Sequence, residues 1–192
     1  MLGVIVALLV AGLIVLWLKF RGPDIPYEVL EKKYADANSH FLDLPQGIRL
    51  HYKDEGKPGA PLLVLLHGYG DSFTSWEGWV AALKDRYRLI SLDFPGHGLT
   101  RAPAGYTLDP DALADLVEVF AARAGLPKFA LAGNSMGGGV AWRFAVNHPE
   151  RLNALILVDA AGFPAEAPPK DPPLAFKILR YELGRKFLAS ID

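Results

Sequence analysis

The chain changes character three times along its length. From Leu2 to Leu18 every residue is uncharged and almost all are apolar. After about residue 40, short apolar bursts alternate with amphipathic stretches, the pattern of strands joined by crossover helices in a largely parallel sheet. Leu62-Leu63-Val64-Leu65-Leu66 is apolar at every position, as a strand covered on both faces must be. Leu89 to Leu92, Phe129 to Ala132 and Ala154 to Val158 repeat that character and are expected as further buried strands. Phe41 to Leu44 and Ile48 to Tyr52, split by Pro45-Gln46-Gly47, read as an opening hairpin at one sheet edge. Between two of the strands, Asp109 can cap a helix that has Pro110 at its first position. Leu113, Leu116, Val117 and Phe120 then share one face before Gly125 ends it. The fold class expected is α/β, a mostly parallel sheet with flanking helices.

At about 1.5 Å per residue the uncharged N-terminal stretch reaches roughly 25 Å, close to a bilayer's hydrocarbon core. Trp17, Lys19, Phe20 and Arg21 follow as interfacial anchors. A cleavable secretion signal would need a basic segment before the apolar run and small residues at a cut site after it, and neither is present. A buried core helix would show an amphipathic period, which is missing. Residues 1–21 are therefore expected to be a single transmembrane anchor. Lys19, Arg21, Lys32 and Lys33 on the C-terminal side put the folded body in the cytoplasm by the positive-inside rule. Residues 22–40, with Pro23 and Pro26 and no clean period, read as a juxtamembrane connector, and 41–163 as the core. Residues 164–192, opening with Pro164, Pro168, Pro169, Pro172 and Pro173 and resuming a helical pattern from Leu174 to Ile191, read as the start of a lid.

Composition narrows the chemistry. Twenty basic and 21 acidic residues leave a net charge of −1, so no long-range field favours nucleic acid. The absence of cysteine removes disulfides, thiol catalysis and thiolate metal sites. No His/Asp/Glu cluster with ligand spacing is present, so no metal or cofactor is expected. The expected partners are a small-molecule substrate and a membrane, and the sequence is silent on oligomeric state.

The segment that carries chemistry is Gly133-Asn134-Ser135-Met136-Gly137, a G-x-S-x-G placed between an apolar strand and a helix. A serine in so sharp a bend has strained backbone angles and tolerates no bulky neighbours, which explains Gly133 and Gly137. Ser135 then stands at a helix N-terminus, where the Met136 N–H and the helix dipole favour developing negative charge. A second N–H is expected from the turn after the central strand, His67-Gly68-Tyr69-Gly70, with Tyr69 as donor.

His67-Gly68-Tyr69-Gly70, Asp93-Phe94-Pro95-Gly96-His97-Gly98 and Gly133-Asn134-Ser135-Met136-Gly137-Gly138 resemble the three successive signatures of the α/β-hydrolase fold-1 family, over roughly Phe41 to Gly162. The resemblance implies a serine hydrolase, because family members that are haloalkane dehalogenases or epoxide hydrolases place Asp at the elbow. The Asn-Ser-Met-Gly-Gly form is similar to hydrolases that cleave carbon–carbon bonds, so a small hydrophobic ester or C–C bond substrate is implied. It makes His67 a brace of the oxyanion turn, Asp93 a turn stabiliser, and His97 a structural or surface residue. His148 reads as a helix-end residue, while His40 and His51 lie too early, on or beside the edge hairpin. Asp159, ending the strand after the nucleophile helix, is the weak candidate for the triad acid. In the family the order is Ser, acid, His. No histidine follows His148, so the chain is expected to be the N-terminal part of such a hydrolase, lacking the triad His and acid. The alternative is a degenerate, non-catalytic module that binds a hydrophobic ligand or a partner at the membrane.

Overall fold

The computed structural model of the protein describes residues 2–20, 25–162, 174–179, 181, 183 and 184. Its chain divides into two compact units, Tyr27–Pro164 and a second that combines Met1–Pro26 with Ala165–Asp192. The lid expected over 164–192 falls mostly outside the described residues, which include only the helix Leu174–Leu179 from its longer stretches.

The larger unit is built on one six-stranded sheet. In chain order its strands are β1 (Ser39–Leu44), β2 (Ile48–Gly56), β3 (Leu62–Leu66), β4 (Arg88–Leu92), β5 (Phe129–Asn134) and β6 (Leu152–Val158). Their spatial order is β1-β2-β4-β3-β5-β6. β1 and β2 form the expected antiparallel hairpin, turning through Gln46 and Gly47 at φ 65° and 74°. β2 lies antiparallel to β4, and β4, β3, β5 and β6 run parallel. All five residues of β3 are buried, and the reason is period two. Leu62, Val64 and Leu66 face a core shared with α4 (Pro110–Arg123) and α5 (Met136–Asn147), where Phe120 and Phe144 are fully buried. Leu63 and Leu65 face the opposite layer, against Trp76 and Val80 beside and within α3 (Glu77–Leu83). The α4 cap is as the pattern required: the Asp109 carboxylate accepts the N–H groups of Asp111 and Ala112 at 3.1 and 2.9 Å.

Three expectations are corrected. The connector contains a helix, α2 (Tyr27–Tyr34), with Glu28 in its first turn and Lys32 and Lys33 in its last, matching the helix dipole. Tertiary contacts hold it: Glu31 takes Arg49 at 2.6 Å and Arg101 at 2.7 Å, and the Tyr27 hydroxyl donates to the Thr100 carbonyl. β6 is not covered on both faces, for Leu155 and Leu157 are 38% and 46% exposed at the sheet edge. The N-terminal stretch is helical, α1 (Leu2–Phe20), yet no helix among the described residues is long and apolar enough to cross a membrane. Its uncharged part falls short of the ~30 Å hydrocarbon core. The expected span is therefore unsupported, and with it the positive-inside argument for the side on which the body lies.

An exposed apolar edge strand is a template for association. Replacing both Leu155 and Leu157 with Lys should lower concentration-dependent self-association in sedimentation velocity. An unchanged profile would show that this edge does not drive it.

Candidate active site

β5 ends and α5 begins within two residues, and the backbone bends sharply between them. Ser135 has φ 49° and ψ −112°, a left-handed region that costs a non-glycine residue on the order of 1–3 kcal/mol. Surrounding hydrogen bonds hold the bend. The Ser135 N–H donates to the Val158 carbonyl at 3.0 Å, and its own carbonyl accepts Gly139 N–H at 3.0 Å and Ala161 N–H at 2.8 Å. The elbow is thereby stitched to the end of β6 as well as to α5. Ser135 is exposed, and its side chain makes no capping bond to the helix it begins.

The glycines are forced by close approach. A Cβ on Gly133 would strike the Gly137 carbonyl, and one on Gly137 would strike the backbone carbonyls of Leu66 and His67 at the end of β3. On Gly138 it would lie 2.6 Å from the Ala160 Cβ. The first turn of α5 thus packs directly onto the strand that delivers the turn 67–70. That turn is beside the serine: a Cβ placed on Gly68 would be 3.4 Å from the Ser135 Cβ. Met136, as the first residue of α5, has an N–H with no carbonyl four residues back to receive it. Among the described residues the Tyr69 N–H also has no acceptor.

Two histidines brace the turn. His67 is fully buried, with Nδ1 2.7 Å from the Gly68 carbonyl and Nε2 accepting the Phe94 N–H at 2.9 Å. Burial, the largest influence, holds its imidazole below its ordinary value of 6.5 despite the hydrogen bond to Gly68 and the nearby Asp93 charge. His97, given only as structural or surface by its sequence position, accepts the Gly70 N–H at 3.1 Å.

Behind them lies a buried polar hub. Asp93 is fully buried. Its Oδ1 accepts Phe73 N–H at 2.8 Å, and its Oδ2 accepts Leu99 N–H at 2.9 Å and His51 Nδ1–H at 2.7 Å. Thr100 donates its hydroxyl to the Asp93 carbonyl and accepts the His51 N–H. His51 was not legible as part of this assembly from its place on the edge hairpin. The antiparallel register that pairs Tyr52 with Leu92 carries it across to Asp93, and its Nε2 is left buried without a partner. His40 stacks on Tyr52 on the hairpin, and His148 ends α5 through an N–H to Phe144. Asp159, at φ 44°, is exposed just after β6 and makes no ion pair among the described residues. No group of three or more His, Cys, Asp or Glu residues that could hold a metal ion occurs among the described residues.

This elbow, the glycine-packed helix behind it and the β3 turn define a class. The chain matches the alpha/beta hydrolase fold over residues 61–188 and belongs to that family. It is 35% identical to human epoxide hydrolase 4 over 145 residues, 73% of this chain and 40% of that protein. A membrane phospholipase A described as a bacterial virulence factor superposes with a TM-score of 0.66 at 29% identity, covering 93% of this chain and 56% of that one. An esterase from Rhodococcus sp. ECU1013 gives 0.59 at 31% identity, covering 64% and 46%. The chain spans less than half the length of the curated relatives named first, 32% of mouse and 40% of human epoxide hydrolase 4.

Two stability predictions follow from the braces. Asp93→Asn keeps one acceptor oxygen but faces a donor with its amide, and should cost about 3 kcal/mol in urea unfolding. A cost under about 1 kcal/mol would remove Asp93 as the hub. For His67 the folded value lies below the unfolded one, so the unfolded chain binds more protons between the two. Its contribution is complete above about 6.5 and is lost as pH falls below that. His67→Gln should flatten the acid side of the stability-versus-pH curve below about pH 6.5, and an unchanged slope would contradict it.

Proposed function

We propose that the protein is a serine hydrolase in which Ser135 Oγ attacks the carbonyl carbon of a small hydrophobic ester or of a ketone-activated C–C bond. The observation that carries the reading is the strained elbow at Ser135, set beside the Gly68 turn with two unpaired N–H groups, those of Tyr69 and Met136, at hand. As the C–O bond forms, the carbonyl π electrons pass to oxygen. Two preorganised amide donors stabilise that charge far better than water does, and loss of one such donor typically costs about 10²–10³ in rate. Collapse then expels the alcohol or carbon leaving group and leaves an acyl-Ser135, which water hydrolyses.

Serine at the elbow favours acyl transfer over epoxide opening, since the epoxide hydrolases of the family use an aspartate there. The names of the phospholipase and esterase neighbours agree with that choice. The proton of Ser135 Oγ needs a base, and no histidine among the described residues bonds to that oxygen. Asp159 is the candidate acid on this chain, by its position after β6. Membrane attachment is part of the proposal: α1 exposes Leu8, Leu13 and Val15 at 64–68%, apolar surface that a lipid interface would cover.

A fluorophosphonate probe tests the nucleophile. Labelling of the full-length protein, abolished in Ser135→Ala, is expected. A folded full-length protein that never labels would favour the non-catalytic reading, in which the fold binds a hydrophobic ligand without turnover. Deleting residues 2–20 should move the protein from the floating to the soluble fraction in vesicle flotation, and equal flotation with and without them would end the attachment proposal.

A further inference from the structure

Two imidazoles tie the turn after β3 to the turn after β4, and they do so in opposite directions. His67 belongs to the first turn and receives Phe94 N–H from the second; His97 belongs to the second and receives Gly70 N–H from the first. Each ring also places Nδ1 on a backbone carbonyl, His67 on Gly68 and His97 on Pro95 at 3.2 Å. A carbonyl only accepts and an amide N–H only donates. Both rings therefore carry their proton on Nδ1 and a lone pair on Nε2, and both are neutral. Their centroids lie 5.2 Å apart, with the Tyr69 ring edge-on to His97 at 5.7 Å.

The two differ in access to water. His67 is sealed in the core, whereas His97 is partly exposed and can exchange protons with solvent. A second proton on His97 has one place to go, Nε2. An N–H there would meet the Gly70 N–H head-on, donor against donor, and the bond between the turns would be lost.

We propose that His97 is a positioning residue for the oxyanion turn that works only in its neutral form. Its Nε2 lone pair fixes the Tyr69–Gly70 peptide, next to the Gly68–Tyr69 peptide whose N–H is the proposed oxyanion donor. A proton on Nε2 opens this latch and weakens oxyanion stabilisation. The catalytic consequence rests on the serine hydrolase reading; the latch itself does not.

The groups around His97 leave the proton without a carboxylate partner. From the β3 turn it faces neutral His67 and Tyr69, while Asp71 in the same loop uses its Oδ1 to accept the Ser72 N–H. From its own turn the nearest acid is Asp93, whose oxygens are occupied by Phe73, Leu99 and His51. No ion pair joins His97 to either acid among the described residues.

The N–H···N bond offers a direct readout on the ¹⁵N-labelled full chain, the trans-hydrogen-bond ¹⁵N–¹⁵N coupling between Gly70 N and His97 Nε2. It should be present while the His97 ring nitrogens report a neutral ring and vanish as they report protonation on acidification. In His97→Gln, whose side-chain oxygen accepts but does not titrate, the Gly70 amide shift should be flat over the same titration. Fluorophosphonate labelling of Ser135 near neutral pH should slow about ten- to a hundredfold in His97→Ala and recover most of the way in His97→Gln. The ratio of wild-type to His97→Gln rates should then fall with acid. Absence of the coupling at neutral pH, its survival on the protonated ring, or normal labelling of His97→Ala would each overturn the proposal. If no variant labels at any pH, the hydrolase reading fails while the coupling still decides the latch.

Discussion

The structure depends on how closely the first turn of α5 can approach the end of β3. With glycine at 137, the helix backbone sits against the Leu66 and His67 carbonyls, where any side chain would overlap them. That contact fixes the helix axis relative to the strand, and so fixes where its unpaired first N–H groups point. It also leaves the chain between β5 and α5 no relaxed route. One residue must take the left-handed angles of Ser135, and the three backbone hydrogen bonds at that residue offset the strain. Tight packing and a raised serine are two consequences of one constraint.

The turn that faces the serine is held by electrostatics of a different kind. Asp93 concentrates three donors from three separate chain segments on a carboxylate with no access to water, so each unpaired donor would be costly. Because its partners include Phe73 on the loop after β3 and Leu99 on the loop after β4, it sets the distance between those loops. The histidines then set their orientation. Burial keeps His67 neutral, and a neutral ring is the form that can donate to Gly68 and accept from Phe94 at once.

What was legible in the sequence follows from range. Strand β3 is an uninterrupted apolar run, β4 and β5 are apolar apart from Arg88, Ser91 and Asn134, and α4 has its cap, its proline and its apolar face within fifteen residues of chain. The elbow and its glycines are likewise local, so Ser135, Met136 and the 67–70 turn could be placed by pattern. The misses are long-range. α2 is only eight residues long, and its helix is held by Glu31 reaching 18 and 70 residues along the chain. β6 is as apolar as the central strands, and apolarity alone does not distinguish an edge from a centre. His51 joins the hub through cross-strand register, which no local pattern contains. The N-terminal run reads as a span from its length, its lack of charge and its flanking anchors, yet no helix among the described residues is long and apolar enough to cross a membrane.

The arrangement also separates what must be rigid from what can respond. The elbow and the hub are built from backbone contacts and buried groups, which exchange neither protons nor conformations without partial unfolding. The β3 turn, by contrast, ends in Tyr69, 63% exposed, and in Gly70 at φ 70°, a residue that pays little to change angle. A donor for a developing oxyanion is best held fixed before the charge appears. Placing it one peptide away from the flexible end of the turn makes a clamp on that end necessary, and the single hydrogen bond from Gly70 to His97 is the only one that reaches it among the described residues. The precision of the proposed site is therefore limited by its most exposed contact rather than by its buried core.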